Sequence, residues 1–278
     1  MGIDGSGKSA LVQRLQTRFA SAPNRLVAFT CPSFHNTPDA PLAGLSVQLK
    51  VLSNVADELR SFELKLATLY LRMTLYGPVE RFFRQTFAPD HLVSDRHPLV
   101  ETLVYLPLYR RSVSGPADGA ALEPVVRERL AAAGAPGAYD AARRWHDLEN
   151  RRLRRDTDFW ALAADVVDAF AQPPDAILAA FGRRYGTTLP DVVVLLDVDA
   201  EEAARRVAGR GSGGRELHED EQALTVLRDN YEVMLCQLGE LRPGIELLRI
   251  ANGGRGIDET LAELLDELAL PAAPHAQA

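Results

Sequence analysis

The segment Gly2-Ile3-Asp4-Gly5-Ser6-Gly7-Lys8-Ser9 opens this chain and decides its fold. It fits the phosphate-binding loop G-x-x-x-x-G-K-[S/T], whose glycines let successive backbone N–H groups curl around a phosphate chain. In such a loop, Lys8 supplies positive charge to the outer phosphates and the Ser9 hydroxyl can ligate Mg²⁺. Lys8 is one of only three lysines among 278 residues, which argues against a chance match. The segment, called the P-loop below, therefore predicts nucleotide binding.

The residues after the P-loop predict a helix, because apolar side chains recur there at helical spacing: Leu11, Val12, Leu15 and Phe19. The N-terminal dipole of this helix would face the phosphates. Such a loop normally follows a buried parallel strand, whereas only Met1 precedes it here. We therefore expect the natural protein to begin roughly ten residues earlier and to supply a central strand of ordinary length.

The composition is that of a globular protein able to bury a sizeable core, with 46% hydrophobic and 25% charged residues. The net charge of −7 argues against nucleic acid as the main partner. The sequence has no apolar run of membrane-spanning length and no signal peptide, so we expect a cytoplasmic protein without a membrane partner. Cys31 and Cys236 lack metal-ligand or redox spacing, and we expect both to be buried free thiols.

Alternating apolar runs and helical patterns predict an α/β fold with a parallel sheet and helices on both faces. The strand-like runs are Arg25–Thr30, His91–Ser94, Asp191–Val198 and Glu246–Ile250. A helical region from about residue 45 to residue 87 is expected to break at Gly77-Pro78. We predict one domain over residues 1–270, with a helical insertion at about 107–189, a lid at about 205–219 and a disordered tail at 271–278.

Asp95 and Arg96 end the apolar run His91–Ser94 and form a second candidate constellation. Beside a P-loop, an acid at the carboxyl end of a neighbouring strand can hold Mg²⁺, directly or through water. The adjacent arginine can donate two hydrogen bonds to a phosphate. The alternative is a surface salt bridge at a strand end, but the presence of the P-loop favours the functional interpretation.

Two arginine-rich segments admit different interpretations. The first contains Arg205, Arg206, Arg210 and Arg215, and glycines are interleaved with the later two, which suits a lid that closes over phosphates and neutralises charge. A solvated loop is the alternative there. In the second, the run from Arg143 to Arg155 is favoured as a solvated helix face with i,i+4 ion pairs. A substrate-closing or subunit-contacting helix is the alternative for that run.

These residues together resemble the thymidylate kinase family, P-loop kinases that phosphorylate dTMP with ATP and Mg²⁺. The P-loop is similar to the family's form, including Asp4, and Asp95-Arg96-His97 looks like its Asp-Arg-aromatic/His motif. Residues 190–231 resemble its run of buried strand, arginine lid and closing helix. The resemblance implies a three-layer α/β/α P-loop NTPase fold. It also implies ATP and Mg²⁺ as cofactors, a nucleoside monophosphate as acceptor, and a homodimer.

The resemblance also implies a role for each matching residue. The ATP phosphates would be held by Lys8 and the loop residues Gly2, Gly5, Ser6 and Gly7. Mg²⁺ would be bound by Ser9 and Asp95. Asp4 would contact the acceptor sugar, Arg96 the acceptor phosphate and Arg72 the base. Asn252 lies at the position where the family has a loop that packs near adenine. Lys8, Arg96, Arg210 and Arg215 would supply the catalytic positive charge.

The departures from the family concern the acceptor. The family presents an arginine after the second strand, where this chain reads Cys31-Pro32-Ser33. Thr68 and Val100 replace a base-stacking phenylalanine and a small polar residue. These departures support a second interpretation, a kinase for a deoxynucleoside or another small molecule. A third interpretation is a non-catalytic nucleotide-binding regulatory protein.

Overall fold

The computed structural model describes residues 1–113, 115–209 and 221–270. Their helices and strands are, in chain order, α1 Lys8–Phe19, β1 Leu26–Phe29, α2 Ala43–Glu58, α3 Phe62–Thr74, α4 Tyr76–Phe87, β2 His91–Ser94, α5 Pro98–Tyr109, α6 Gly119–Ala132, α7 Ala138–Leu153, α8 Leu162–Ala169, α9 Pro174–Tyr185, β3 Val192–Asp197, α10 Ala200–Ala208, α11 Glu221–Leu241, β4 Glu246–Ala251 and α12 Ile257–Glu267. Within these described ranges, no helix is both long and apolar enough to cross a membrane.

The chain divides into two compact units. The first, the sheet unit, contains Met1–Cys31, Glu80–His97 and the described part of Pro190–Ala278. The second, the helical unit, contains Pro32–Val79 and Pro98–Leu189. The predicted tail and most of the predicted lid, including Arg210 and Arg215, lie outside the described residues. The predicted domain boundaries and the predicted insertion stay predictions.

The sheet unit pairs its strands in parallel, as the α/β pattern predicts. β1 pairs with β2 from Leu26↔His91 to Phe29↔Ser94, and β3 pairs with β4 from Val192↔Glu246 to Asp197↔Ala251. The backbone of Met1 hydrogen-bonds to β3, donating to the Val194 carbonyl (2.6 Å) and accepting from the Leu196 N–H (2.8 Å). The α/β class and all four predicted strand positions are confirmed.

One apolar core joins both strand pairs to the helices beside the P-loop. Its buried members come from α1, β1, β3, β4 and α12: Leu11, Val12, Leu15, Phe19, Leu26, Ala28, Leu196, Ile250, Leu261 and Leu264. Burying apolar side chains is the main favourable term in folding. Because all four α1 positions predicted from helical spacing are in this core, the first turn of α1 is anchored by packing.

The helical unit is built around α2 and α3, which pack on each other. α2 also contacts α6 and α7, and α3 contacts α5, α7, α8 and α9. In the predicted arginine run, Arg152 pairs with Glu149 (2.5 Å), and Arg155 pairs with Asp165. Arg152 also donates to the Arg183 carbonyl (2.9 Å), which ties α7 to α9. The pair with Glu149 is i,i+3 and the other contacts reach other elements, so they differ from the expected solvated face with i,i+4 ion pairs.

Two sequence predictions are wrong. The helical region breaks at Leu75 and at residues 59–61, whereas Gly77 and Pro78 lie in the first turn of α4. Proline is tolerated there because a first-turn N–H has no intrahelical partner. Cys31 is a buried free thiol as predicted, but Cys236, on α11, is exposed.

Candidate active site

The P-loop has a tightly folded backbone between β3, α10 and α1. Gly5 and Gly7 have φ values of 91° and 92°, in the left-handed region that favours glycine. A Cβ at Gly5 would collide with the Ala203 carbonyl at the start of α10. The Ser6 N–H donates to the Ile3 carbonyl (3.1 Å), which closes the turn. The glycines predicted to hold phosphates are therefore also required by the fold.

Lys8, in the first turn of α1, is buried with 6% of its surface exposed. Its Nζ donates to the Ile3 carbonyl at 2.7 Å and lies 3.6 Å from Asp4 Oδ1. The ammonium group is therefore held against the P-loop backbone, where a phosphate chain would meet its charge.

Ser9 and Asp95 are brought together although 86 residues separate them. Ser9 Oγ donates to Asp95 Oδ2 at 3.0 Å, and the Cys31 N–H donates to Asp95 Oδ1 at 2.7 Å. Because β1 and β2 are parallel neighbours, Cys31 and Asp95 follow their carboxyl ends at the same edge. The structure thus places the two predicted Mg²⁺ ligands in direct contact.

The electrostatics of Asp95 are those of a carboxylate withdrawn from water. Burial raises its pKa above the ordinary value of 3.8. The hydrogen bond from Cys31 and the charges of Arg96 and Lys8 lower that pKa in part. A nearby divalent cation would favour the ionised form, so the site suits one.

The donor set fits Mg²⁺ better than a metal held only by protein ligands. Within the described ranges, no group of three or more His, Cys, Asp or Glu side chains could hold a metal. Mg²⁺ commonly uses one or two protein oxygens, with waters and phosphates filling its shell. A hydroxyl and a carboxylate meet that requirement.

Arg96 and Asp4 form the other polar contact of this cluster. The Arg96 guanidinium donates to Asp4 Oδ1, and both side chains are mostly buried, with exposed fractions of 16% and 13%. Asp4 thus lies between two cations, Arg96 and Lys8. Two residues predicted to contact the acceptor pair directly with each other.

Asn252 follows β4 and reaches the P-loop through its side chain. Asn252 Nδ2 donates to the Ser6 carbonyl at 2.5 Å, and Thr260 Oγ1 donates to Asn252 Oδ1 at 2.7 Å. Arg206, on α10, donates to the Asn252 carbonyl at 2.9 Å and lies 3.5 Å from the Gly5 carbonyl. Residues that follow β3 and β4, Arg206 and Asn252, therefore contact the backbone carbonyls of the P-loop.

Arg72 belongs to the helical unit, where it is buried on α3 with 4% of its surface exposed. Its Nη2 donates to Ser33 Oγ at 3.2 Å. In the same unit, Thr68 is fully buried and donates to the Lys65 carbonyl (2.9 Å), and Val100 is also fully buried. The base-reading role of Arg72 stays a prediction.

Sequence reasoning missed Thr260 and Ser33 as partners of candidate site residues. Thr260 lies eight residues after Asn252, and Ser33 lies 39 residues before Arg72. A single hydroxyl side chain carries no motif, so neither contact had a sequence signal. The arginine-rich pattern predicts Arg206 as part of a lid, whereas it lies on α10 and contacts Asn252.

No protein-family model matches the chain, and no curated protein matches it. Among solved structures, the chain is similar to deoxyadenosine kinase from M. mycoides, whose structure holds the products dCMP and a flexible dCDP. That alignment has 13% identity and a TM-score of 0.47, and it covers 97% of this chain and 96% of the other. The chain is also similar to thymidylate kinase from Candida albicans, with 15% identity, a TM-score of 0.46, and 97% and 88% coverage.

Proposed function

We propose that this chain is an ATP-dependent phosphotransferase that acts on a nucleoside monophosphate, with dTMP as the preferred acceptor. The observation that carries the proposal is the Ser9–Asp95 contact beside the buried Lys8. A P-loop sequence alone predicts phosphate binding. A P-loop whose serine meets a buried strand-end carboxylate also offers a place for the cation that accompanies ATP.

The residues of this cluster would divide the work of phosphoryl transfer. Lys8 would exchange the Ile3 carbonyl for the outer phosphates, while Asp4 and Arg96 would orient the acceptor. When bound through Ser9 and Asp95, Mg²⁺ would neutralise developing phosphate charge. The acceptor oxygen would form a bond to the γ-phosphorus as the bond from that phosphorus to ADP breaks.

Catalysis of this kind depends on positioning and on charge neutralisation. We propose that Arg210 and Arg215 add positive charge at the transferring phosphate and that Arg72 reads the acceptor base. The acceptor would be released carrying one more phosphate, and ADP would be the second product.

The test is ADP release from ATP and Mg²⁺ with a panel of acceptors: dTMP, dUMP, the other nucleoside monophosphates and the free deoxynucleosides. Lys8→Ala should reduce turnover by about 10²-fold or more, because it removes a charge aimed at the reacting phosphates. Arg14→Ala is the matched control, since Arg14 is an exposed cation on the same helix, paired with Asp258. Full activity of Lys8→Ala would contradict the proposed site.

A kinase for a deoxynucleoside or another small molecule is the second candidate. Ser33 favours it. This residue lies in the segment where the resemblance implies an arginine that binds the acceptor phosphate, and it accepts a hydrogen bond from Arg72. An acceptor without a phosphate would not need that arginine. Turnover with free deoxynucleosides but not with dTMP would select this candidate. ATP binding without turnover on any acceptor of the panel would favour a kinase for another small molecule, and turnover that requires Lys8 would exclude a regulatory protein.

A further inference from the structure

We infer that Asn252 is a positioning residue that holds the P-loop in its phosphate-binding conformation. This inference rests on the proposed function and deepens it. The resemblance places Asn252 in a loop near adenine. Its observed contacts instead run to the P-loop and to α12, and the side chain is buried with 3% of its surface exposed.

The orientation of the Asn252 amide is set by the two groups that it meets. The Ser6 carbonyl can only accept a hydrogen bond, so the group that faces it must be the NH₂ end of the side chain. Thr260, which is fully buried, donates to the other end. These two contacts fix one orientation of the amide, because a reversed amide would set two oxygens against each other at Ser6.

The contact with Asn252 also orients the Ser6–Gly7 peptide. A trans peptide is planar, so its carbonyl and its N–H point in opposite directions. Because Asn252 holds the Ser6 carbonyl, the Gly7 N–H must point away from Asn252. Asn252 also packs closely on Gly7, since a Cβ at Gly7 would lie 3.1 Å from Nδ2. The asparagine therefore forms the outer wall of the loop and directs one amide towards its inner side.

Asn252 is itself held by neighbouring elements. Its N–H donates to the Asp197 carbonyl at 2.7 Å, and its carbonyl accepts from Arg206. The residue is thus held from the end of β3, from α10 and from α12. Asp197 and Arg206 hold its backbone, and Thr260 holds its side chain. A residue fixed in this way can hold a glycine-rich loop that would otherwise sample many conformations.

The test compares the binding of Mg²⁺–ATP with that of Mg²⁺–tripolyphosphate, which has no base or sugar. Calorimetric titration of wild type, Asn252→Ala and Asn252→Asp gives both dissociation constants. We expect both variants to weaken ATP and tripolyphosphate by the same factor, about tenfold, which is the size expected for losing one well-made hydrogen bond. Glu263→Gln, an isosteric change on α12 in the exposed pair with Arg255, should bind both ligands as wild type does.

Each outcome decides something. A loss confined to ATP would overturn the inference and assign Asn252 to adenine, and no loss for either ligand would also overturn it. A lower Tm with unchanged dissociation constants would reduce the residue to a structural role, which again contradicts it.

If both Asn252 variants fail to fold, Thr260→Val and Thr260→Ser replace them. The valine should weaken both ligands equally and the serine should restore them, and any other pattern overturns the inference. Failure of wild type to bind either ligand would overturn the proposed function as well.

Discussion

Asp95 keeps its carboxylate nearly out of water, at the point where β2 meets the P-loop. Its two oxygens accept hydrogen bonds from Ser9 and from the Cys31 backbone, yet burial still raises its pKa. The ionised carboxylate therefore lowers the free energy of unfolding of the ligand-free protein. Such a cost at a functional site is common, because a group that must bind a charged partner is held ready for it.

Asp95→Asn should stabilise the ligand-free protein while removing phosphotransfer. The folded-state pKa is raised, so the penalty is absent when the carboxyl is protonated and is complete once the pH has risen through that pKa. At pH 8 without Mg²⁺ we expect the Tm of the variant to rise, on the order of 2 °C. Thermal unfolding at pH 8 with a chelator checks this, and an unchanged or lower Tm would contradict it.

The same measurement at lower pH provides the control for that prediction. The difference in Tm between Asp95→Asn and wild type should shrink as the pH falls and Asp95 becomes protonated. Ser9→Ala offers a second comparison, since it removes a hydrogen bond to Asp95 without removing the buried charge. That variant should lower the Tm at pH 8.

At the residue scale, sequence predicts chemistry where a motif fixes the residue types. Lys8 and Ser9 follow from the P-loop pattern, and Asp95 follows from its place at a strand end. The Asn252 contact with Ser6 could not be predicted, because it joins a side chain to a backbone carbonyl 246 residues away. Every residue has a carbonyl, so such a contact leaves no trace in residue types.

Among the elements, the boundary between α3 and α4 lies before the residues that the sequence predicts to break the helix. Gly77-Pro78 is a strong breaker signal, yet both residues are helical. Pro78 is tolerated because it lies in the first turn of α4, and Gly77 is required by the approach of α9. A Cβ at Gly77 would collide with the carbonyl oxygens of Tyr185 and Gly186, so the glycine serves close packing.

Two glycine-to-alanine changes in helices should therefore have opposite effects. Gly77→Ala should lower the free energy of unfolding by about 1–3 kcal/mol, because backbone atoms must shift to admit the methyl group. Gly44→Ala, in the first turn of α2 where an added Cβ would meet nothing within 4 Å, should raise it by about 0.4–1 kcal/mol. Urea unfolding curves measure both. A stabilising Gly77→Ala would contradict the packing explanation.

At the scale of the whole molecule, the candidate residues divide between the two units. The P-loop, Asp95, Arg96 and Asn252 belong to the sheet unit, whereas Arg72 belongs to the helical unit. Alternation of strands and helices predicted the sheet unit well, because buried parallel strands are distinctive apolar runs. The helical unit was harder to predict, since its helices pack through contacts that depend on tertiary structure. The homodimer and the absence of nucleic-acid binding stay predictions.

Arg72→Lys should relax acceptor selectivity while leaving ATP binding unchanged. Lysine keeps the charge but loses the planar set of donors that can match a base edge. We expect the ratio of kcat/KM for dTMP over dCMP to fall by about tenfold, the effect of losing a hydrogen bond from a charged donor. Unchanged selectivity would contradict base reading, and weaker ATP binding would contradict the division of roles. Ser33→Ala should reduce selectivity less, because it removes only a partner of the guanidinium group.

The scarcity of lysine gives this molecule a convenient chemical reporter. Of its three lysines, Lys65 is fully buried and paired with Asp57 at 2.6 Å, and Lys8 lies in the P-loop. An acyl-phosphate derivative of ATP would carry its reactive carbonyl to Lys8, and Lys50 would record background acylation. Peptide mass spectrometry could then follow occupancy of the loop at a single amine, in a crude extract and without any assay of turnover.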